Sequence, residues 1–101
     1  MLVSDYDQRQ YNLMHTTIKE YKEGKLSLLE LINNLSGLVN NLEVKDKMWE
    51  EEFIRFCNNL EIAFAFILEY KEERLGWIDP LIEDSLIGLS NMLVQFPSTL
   101  Q

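Results

Sequence analysis

The chain has 101 residues, enough for one domain with a single hydrophobic core. Its hydrophobic fraction of 47% is ordinary for a globular protein, and four glycines and two prolines leave few turn formers for an all-β fold. Nine Lys and Arg against 17 Asp and Glu give a net charge of -8, which disfavours nucleic acid and anionic membranes as partners and favours basic proteins.

The first predicted helix covers residues 5–22. Asp5 and Asp7 suit the positive end of the helix dipole, and two lysines in the last turn suit its negative end. Gly24 then supplies the left-handed conformation that often ends a helix. The apolar residues at helical spacing are Tyr11, Met14, Ile18 and Tyr21.

The second predicted helix covers residues 27–43. Ser27 and Glu30 have the spacing of a capping box, in which the hydroxyl and the carboxylate each accept a backbone N–H at the helix start. One apolar stripe then continues to the end of the helix. Its members are Leu28, Leu31, Ile32, Leu35, Leu38, Val39 and Leu42.

The third predicted helix covers residues 47–72, with Asp46 as its N-cap. Its inner face is Trp49, Phe53, Phe56, Leu60, Phe64 and Ile67. Because Ile54, Ile62 and Phe66 fall away from that face at about 100° per residue, the second half of the helix is apolar nearly all round. Such a helix is either central to the fold or partly exposed, and the rarity of large exposed apolar patches favours the central position.

The fourth predicted helix covers residues 80–96, with Asp79 as its cap and Pro80 at its first position. A narrow apolar seam consists of Ile82, Leu86, Leu89, Leu93 and Phe96, and Pro97 follows it. The short connections favour antiparallel neighbours. The predicted fold is therefore all-α, an up-down-up-down four-helix bundle with residues 1–101 as a single domain.

Few residues are arranged for catalysis or metal binding. His15 is the only histidine and has no metal-ligating neighbour one turn away, and the single cysteine, Cys57, is expected to be an inert core thiol. Cofactor motifs are missing, so we predict no enzymatic activity, cofactor or metal, and a carboxylate-bundle metalloenzyme is the weakest hypothesis. Glu61, beside the inner face of the third helix, is expected to be a buried structural group in preference to a polar anchor for a partner.

The compartment is inferred from what the sequence lacks. A single cysteine allows no disulfide within the chain, and the N-terminus shows no leader pattern. The longest apolar run, residues 62–68, is much shorter than the roughly 20 residues of a membrane span. We therefore expect a cytoplasmic protein without membrane contact.

A pattern of cap and core residues runs from Tyr21 to Glu61: Y-x-x-G-x-[IL]-S-L-x-x-L-[IV], then L-E, then W-x-x-x-F and a second L-E. The matching residues are Tyr21, Gly24, Leu26, Ser27, Leu28, Leu31, Ile32, Leu42, Glu43, Trp49, Phe53, Leu60 and Glu61. In this run the chain resembles the small immunity proteins of contact-dependent growth inhibition and related polymorphic-toxin systems. The resemblance implies a protein that neutralises a cognate toxin domain, commonly a nuclease with a basic cleft, in a one-to-one complex.

An acidic protein can mask the active or substrate-binding surface of such a domain, and charge attraction speeds the association. Carboxylates gather near the connection between the third and fourth helices, as either a partner-facing patch or solvated surface, with Ile62 and Phe66 as further apolar anchors. The predicted partner-binding residues are Glu69, Tyr70, Glu72, Glu73, Trp77, Asp79, Glu83 and Asp84. The alternative is a structural or regulatory protein that self-associates through the apolar flank of the third helix and buries Ile62 and Phe66.

Overall fold

The computed structural model describes residues 4–43, 46–70 and 76–95, and this part of the chain contains four helices. They are α1 (Asp5–Lys22), α2 (Leu28–Asn40), α3 (Lys47–Glu69) and α4 (Ile78–Gln95). The helices α1 and α3 each pack against both α2 and α4, so the four form a ring. The predicted all-α up-down four-helix bundle is confirmed.

Capping side chains hold the starts of α2 and α3 as predicted. Ser27 Oγ accepts the N–H of Glu30 at 3.1 Å, and Glu30 Oε1 accepts the N–H of Ser27 at 2.9 Å, which completes the capping box. The bond from the Ser27 N–H, followed by the Ser27 hydroxyl, lowers the pKa of the Glu30 carboxyl. At the start of α3, Asp46 Oδ1 accepts the N–H of Trp49 at 3.1 Å. The glycine after α1, Gly24, has the predicted left-handed conformation with φ 80°.

The start of α4 differs from the prediction. The helix begins at Ile78, and the N–H of Leu81 donates to the carbonyl of Trp77 at 3.1 Å. Asp79 therefore lies inside the first turn and is not the N-cap. The helix starts two residues before Pro80, so the proline takes the third helical position instead of the first. A missing N–H at the third position still removes no intrahelical bond.

The ends of α2 and α3 also differ from the prediction. The helix α2 ends at Asn40 instead of residue 43, because the N–H groups of Asn41 and Leu42 bond to carbonyls three residues back and tighten the last turn. The helix α3 ends at Glu69, and the last bond runs from the N–H of Tyr70 to the carbonyl of Phe66. The remaining predicted helical positions, 71, 72 and 96, lie outside the described residues.

The buried face of α3 is rotated from the predicted one. It consists of Phe53, Cys57, Leu60 and Ala63, which follow one another at steps of four, three and three residues. Phe53 and Leu60 were predicted, whereas the other members of the predicted face, Trp49, Phe56, Phe64 and Ile67, are only partly buried. The rotation arises because α3 has to face α2 and α4 at once.

The prediction that α3 is central is wrong. Ile54, Ile62 and Leu68 are 41%, 47% and 54% exposed, so α3 carries apolar side chains into solvent. The physical reason is the ring arrangement, in which no helix is enclosed by the other three. Glu61 is also exposed, so the prediction of a buried hydrogen-bonding carboxylate is wrong too.

A buried carboxylate ties the start of α1 to the segment that follows α2. Asp7 is fully buried, and its Oδ1 accepts the backbone N–H of Glu43 at 2.8 Å across 36 positions of sequence. Beside it, the Tyr11 ring meets the Trp49 ring edge to face at 5.5 Å. Burial, followed by the nearby Asp7 carboxylate, raises the pKa of Tyr11. Asp7 therefore stabilises the tertiary structure, in addition to lying at the positive end of the α1 dipole.

The helices α3 and α4 approach each other closely at Gly88. A Cβ atom at this position would overlap the ring of Phe56, so α4 needs a residue without a side chain here. The guanidinium of Arg55 lies over the same ring, 4.5 Å from its centroid. The Phe56 ring is thus held between Arg55 and the backbone of α4.

We expect Gly88→Ala to destabilise the fold and Gly37→Ala to stabilise it. The methyl group added at position 88 must displace the Phe56 ring, at a cost of about 1–3 kcal/mol that the helix-propensity gain of about 1 kcal/mol offsets only in part. Gly37 faces open space in α2, so alanine there gains about 1 kcal/mol of helix propensity. Urea unfolding followed by circular dichroism measures both. Equal stabilisation by the two substitutions would contradict the close contact.

Candidate partner-binding surface

Three aromatic rings come together where α3 ends and α4 begins. The Phe66 ring stacks on the Tyr70 ring, with centroids 5.8 Å apart and planes 13° apart. It meets the Trp77 ring edge to face, with centroids 4.8 Å apart and planes 79° apart. Tyr70 and Trp77 are 44% and 42% exposed, although each contacts Phe66. The structure therefore joins two of the predicted site residues through a third ring.

Helical spacing extends this cluster along α3. Ile62, Phe66 and Tyr70 lie one turn apart along one side, and Glu69 follows Ile62 by seven residues, or two turns, on the same side. Ile62 and Glu69 are both exposed. This side of α3 thus presents an aliphatic residue, two rings and one carboxylate.

On α4, Asp84 follows Trp77 by seven residues and precedes Gly88 by four, so all three share one side of the helix. Trp77 contacts Phe66 of α3 and Gly88 lies against Phe56 of α3, which places Asp84 on the flank of α4 next to α3. Asp84 is exposed. We call this surface the aromatic face; it consists of Ile62, Phe66, Glu69, Tyr70, Trp77 and Asp84.

The other predicted carboxylates of α4 lie elsewhere. Asp79 and Glu83, one turn apart, line a groove between α1 and α4, and the groove has a volume of about 440 Å³. We call it the α1–α4 groove; it is lined by Lys22, Asp79, Ile82, Glu83, Leu86 and Ile87. The single predicted acidic patch is therefore two surfaces, because Glu83 and Asp84 are neighbours in sequence and project about 100° apart on the helix. The predicted residues Glu72 and Glu73 lie outside the described residues.

Further grooves lie between α1 and α2 and between α2 and α3. The groove between α1 and α2 is lined mainly by amide and apolar side chains, including Leu13, Asn33 and Asn41. The groove between α2 and α3 contains the exposed Glu61 above the buried Cys57. Neither carries an aromatic cluster or a pair of carboxylates, so the two surfaces beside α4 are the better candidates for binding a basic partner.

Within the part of the chain that the structure describes, no group of three or more His, Cys, Asp and Glu side chains is placed to hold a metal ion. His15 is exposed on α1. None of the described helices combines the length and the hydropathy that a membrane span requires.

Comparison with known proteins identifies no relative of this chain. It matches no family model, and neither a curated protein nor a solved structure is significantly similar to it. The features of the chain that bear on function are the residue pattern of positions 21–61 and the two surfaces beside α4.

Cys57 is buried on the inner face of α3, as predicted for a core thiol. Burial, with a smaller contribution from the Glu61 carboxylate, raises the pKa of the thiol to about 12. A thiol with this pKa is almost fully protonated at neutral pH and is a poor nucleophile.

We expect the folded protein to resist alkylation by iodoacetamide. At pH 8 roughly one Cys57 thiol in 10,000 is ionised in the folded state, so the reaction should be at least about 100-fold slower than in concentrated guanidinium. Mass spectrometry of the alkylated protein over time measures the rate. Fast labelling of the folded chain at pH 8 would show that Cys57 is accessible and activated.

Proposed function

We propose that this protein is an immunity protein that binds a cognate toxin domain and neutralises it. The toxin is a basic nuclease domain, bound one to one, and inhibition occurs by masking its active or substrate-binding surface. The proposal is supported by the pattern of residues 21–61, by the net charge of -8 and by the aromatic face. The protein acts in the cytoplasm, where it protects the cell that makes it.

The observation that carries the proposal is the half-exposed ring cluster of the aromatic face. Phe66 holds Tyr70 and Trp77 in fixed orientations, so little side-chain entropy is lost when a partner covers them. Tyrosine and tryptophan are enriched among the residues that dominate binding energies. A solvent-exposed cluster of this kind is typical of a protein-binding surface.

The charges around the rings suit a basic partner. Glu69 and Asp84, both exposed, lie on the sides of α3 and α4 that carry the rings. Carboxylates at the rim of an interface contribute mainly to the association rate, because their field acts before contact. Aromatic rings that become buried in the complex determine mainly how slowly it dissociates. The aromatic face therefore combines the two elements that a fast and tight inhibitor needs.

We expect Trp77→Ala to weaken binding of the toxin domain encoded next to this gene by at least about tenfold, since removing a central aromatic anchor costs more than about 1.4 kcal/mol. Met48→Ala is the matched control, because Met48 is 83% exposed at the start of α3, away from the aromatic face. Titration calorimetry with the purified toxin domain gives both dissociation constants.

Two further measurements make this test decisive. Nuclease assays with the same variants should show inhibition declining in parallel with affinity, and raising the ionic strength should slow association. If no neighbouring gene product binds the protein, the immunity function is wrong. If Trp77→Ala and Met48→Ala bind equally well, the interface lies elsewhere.

A second candidate function is supported by the outer strip of α3. We define this strip as Ile54, Glu61, Ala65 and Leu68, which follow one another at helical spacing and are all exposed. Three of these four residues are apolar, a pattern that also fits a self-associating structural or regulatory protein.

We expect sedimentation velocity to report a monomer if toxin binding is the function. A homodimer that forms at high salt and is abolished by Leu68→Glu would favour self-association, because an apolar interface does not depend on charge attraction. Val94→Glu is the matched control, since Val94 is an apolar residue on α4 that is 72% exposed, against 54% for Leu68. Dissociation by both variants would point to a general effect of added charge.

A further inference from the structure

Of the three rings of the aromatic face, Phe66 is the one that lies inside a helix. Tyr70 is the residue that caps the end of α3, and Trp77 immediately precedes α4. Helix ends fray, so side chains there are generally less ordered than those of interior turns. Phe66, in contrast, packs against the hydrophobic core and is only partly exposed. It is therefore the ring of the cluster that the fold holds most firmly.

Phe66 contacts both of the other rings. Its carbonyl accepts the N–H of Tyr70 at 2.9 Å, and the Phe66 and Tyr70 rings stack with planes 13° apart. Trp77, from the start of the other helix, meets the Phe66 ring edge to face, with centroids 4.8 Å apart. Ring pairs of both geometries are attractive beyond the area that they bury. Phe66 thus joins two rings that come from different helices.

The order of these two rings bears on affinity. A side chain that rotates freely before binding loses that freedom when a partner covers it, and the lost entropy weakens the complex. Tyr70 and Trp77 are 44% and 42% exposed, so each presents surface to solvent while it contacts Phe66. A ring that is already held in one orientation loses little further entropy when it is covered.

We infer that Phe66 is a positioning residue of the aromatic face. It acts on the partner through Tyr70 and Trp77, which it orders before the partner arrives, and not by contacting the partner itself. The inference rests on the proposed function, because it assumes a partner that covers these two rings. The consequence is that the contribution of Phe66 to binding requires Tyr70 and Trp77 to be present.

The first test measures ring order in the full chain without a partner. NMR relaxation of the indole N–H groups reports on Trp77, with Trp49 at the start of α3 as an internal reference. We expect Phe66→Leu to lower the order parameter of the Trp77 indole from about 0.85 to below about 0.6 and to leave that of Trp49 unchanged. An unchanged order parameter for Trp77 would overturn the inference.

Phe64→Leu is the matched control for this test. Phe64 is another partly buried phenylalanine of α3 that packs against the core, and it does not belong to the aromatic face. Its replacement should leave the Trp77 order parameter unchanged. Phe66→Ile is a second variant without a ring, and it should reproduce the effect of Phe66→Leu. Equal loss of Trp77 order in Phe64→Leu and Phe66→Leu would show a general loosening of α3 and would overturn the inference.

The second test measures affinity for the toxin domain encoded next to this gene. We expect Phe66→Leu to raise the dissociation constant at least about fivefold in the otherwise unaltered chain. When Tyr70 and Trp77 are both replaced by alanine, the same substitution should raise it by less than about twofold, because no ring is left to position. Equal loss of affinity in the two backgrounds would mean that Phe66 contacts the partner directly, which would overturn the inference.

The outcomes for Phe66 and for the proposed function are distinguishable. If Phe66→Leu frees the Trp77 ring but no toxin domain binds the protein, the immunity function fails and the ordering of the rings by Phe66 stands. If the toxin domain binds with an affinity that Trp77→Ala reduces, while Phe66→Leu changes neither the Trp77 order parameter nor the affinity, the positioning role fails and the function stands.

Discussion

The structure depends on how much of each helix can be covered by its two neighbours in the ring of four helices. Each helix contacts two neighbours, so part of its circumference faces solvent. For α1 and α2 that part is largely polar, but the second half of α3 is apolar nearly all round. Phe53, Cys57, Leu60 and Ala63 occupy the covered side, and the apolar side chains left over become surface. The aromatic face and the outer strip of α3 both follow from this excess.

The packing of α3 on α4 determines where the excess apolar surface is presented. Gly88 lets the Phe56 ring lie against the backbone of α4, which brings the helices close together. Where α4 begins, Trp77 reaches the Phe66 ring of α3. The opposite flank of α4 is left to form the groove with α1. One helix thus serves two surfaces of different character, one rich in aromatic rings and one with an apolar base between charges.

This arrangement suits an inhibitor of a basic protein. The net charge of -8 attracts such a partner at long range, but charge alone does not give a tight complex, because rim charges remain solvated. The ring cluster supplies half-exposed apolar surface, and the carboxylates of Asp79 and Glu83 lie beside the α1–α4 groove. The end of the bundle away from both surfaces is stabilised by other contacts. These are the hydrogen bond from the Glu43 N–H to the buried Asp7 and the Tyr11–Trp49 ring pair.

The amino-acid sequence by itself determined the four helices, their order and the capping of α2 and α3, because these depend on interactions within a few residues. It also placed Tyr70 and Trp77 on a candidate surface. Only the tertiary structure decided that Asp79 and Glu83 are separated from Asp84, that Lys22 and Ile82 line their groove, and that Ile62 and Glu61 are exposed. Those outcomes depend on which flank of each helix meets a neighbour, and the long-range contacts that choose the flank, at Gly88 and at Asp7, leave no local signal in the sequence.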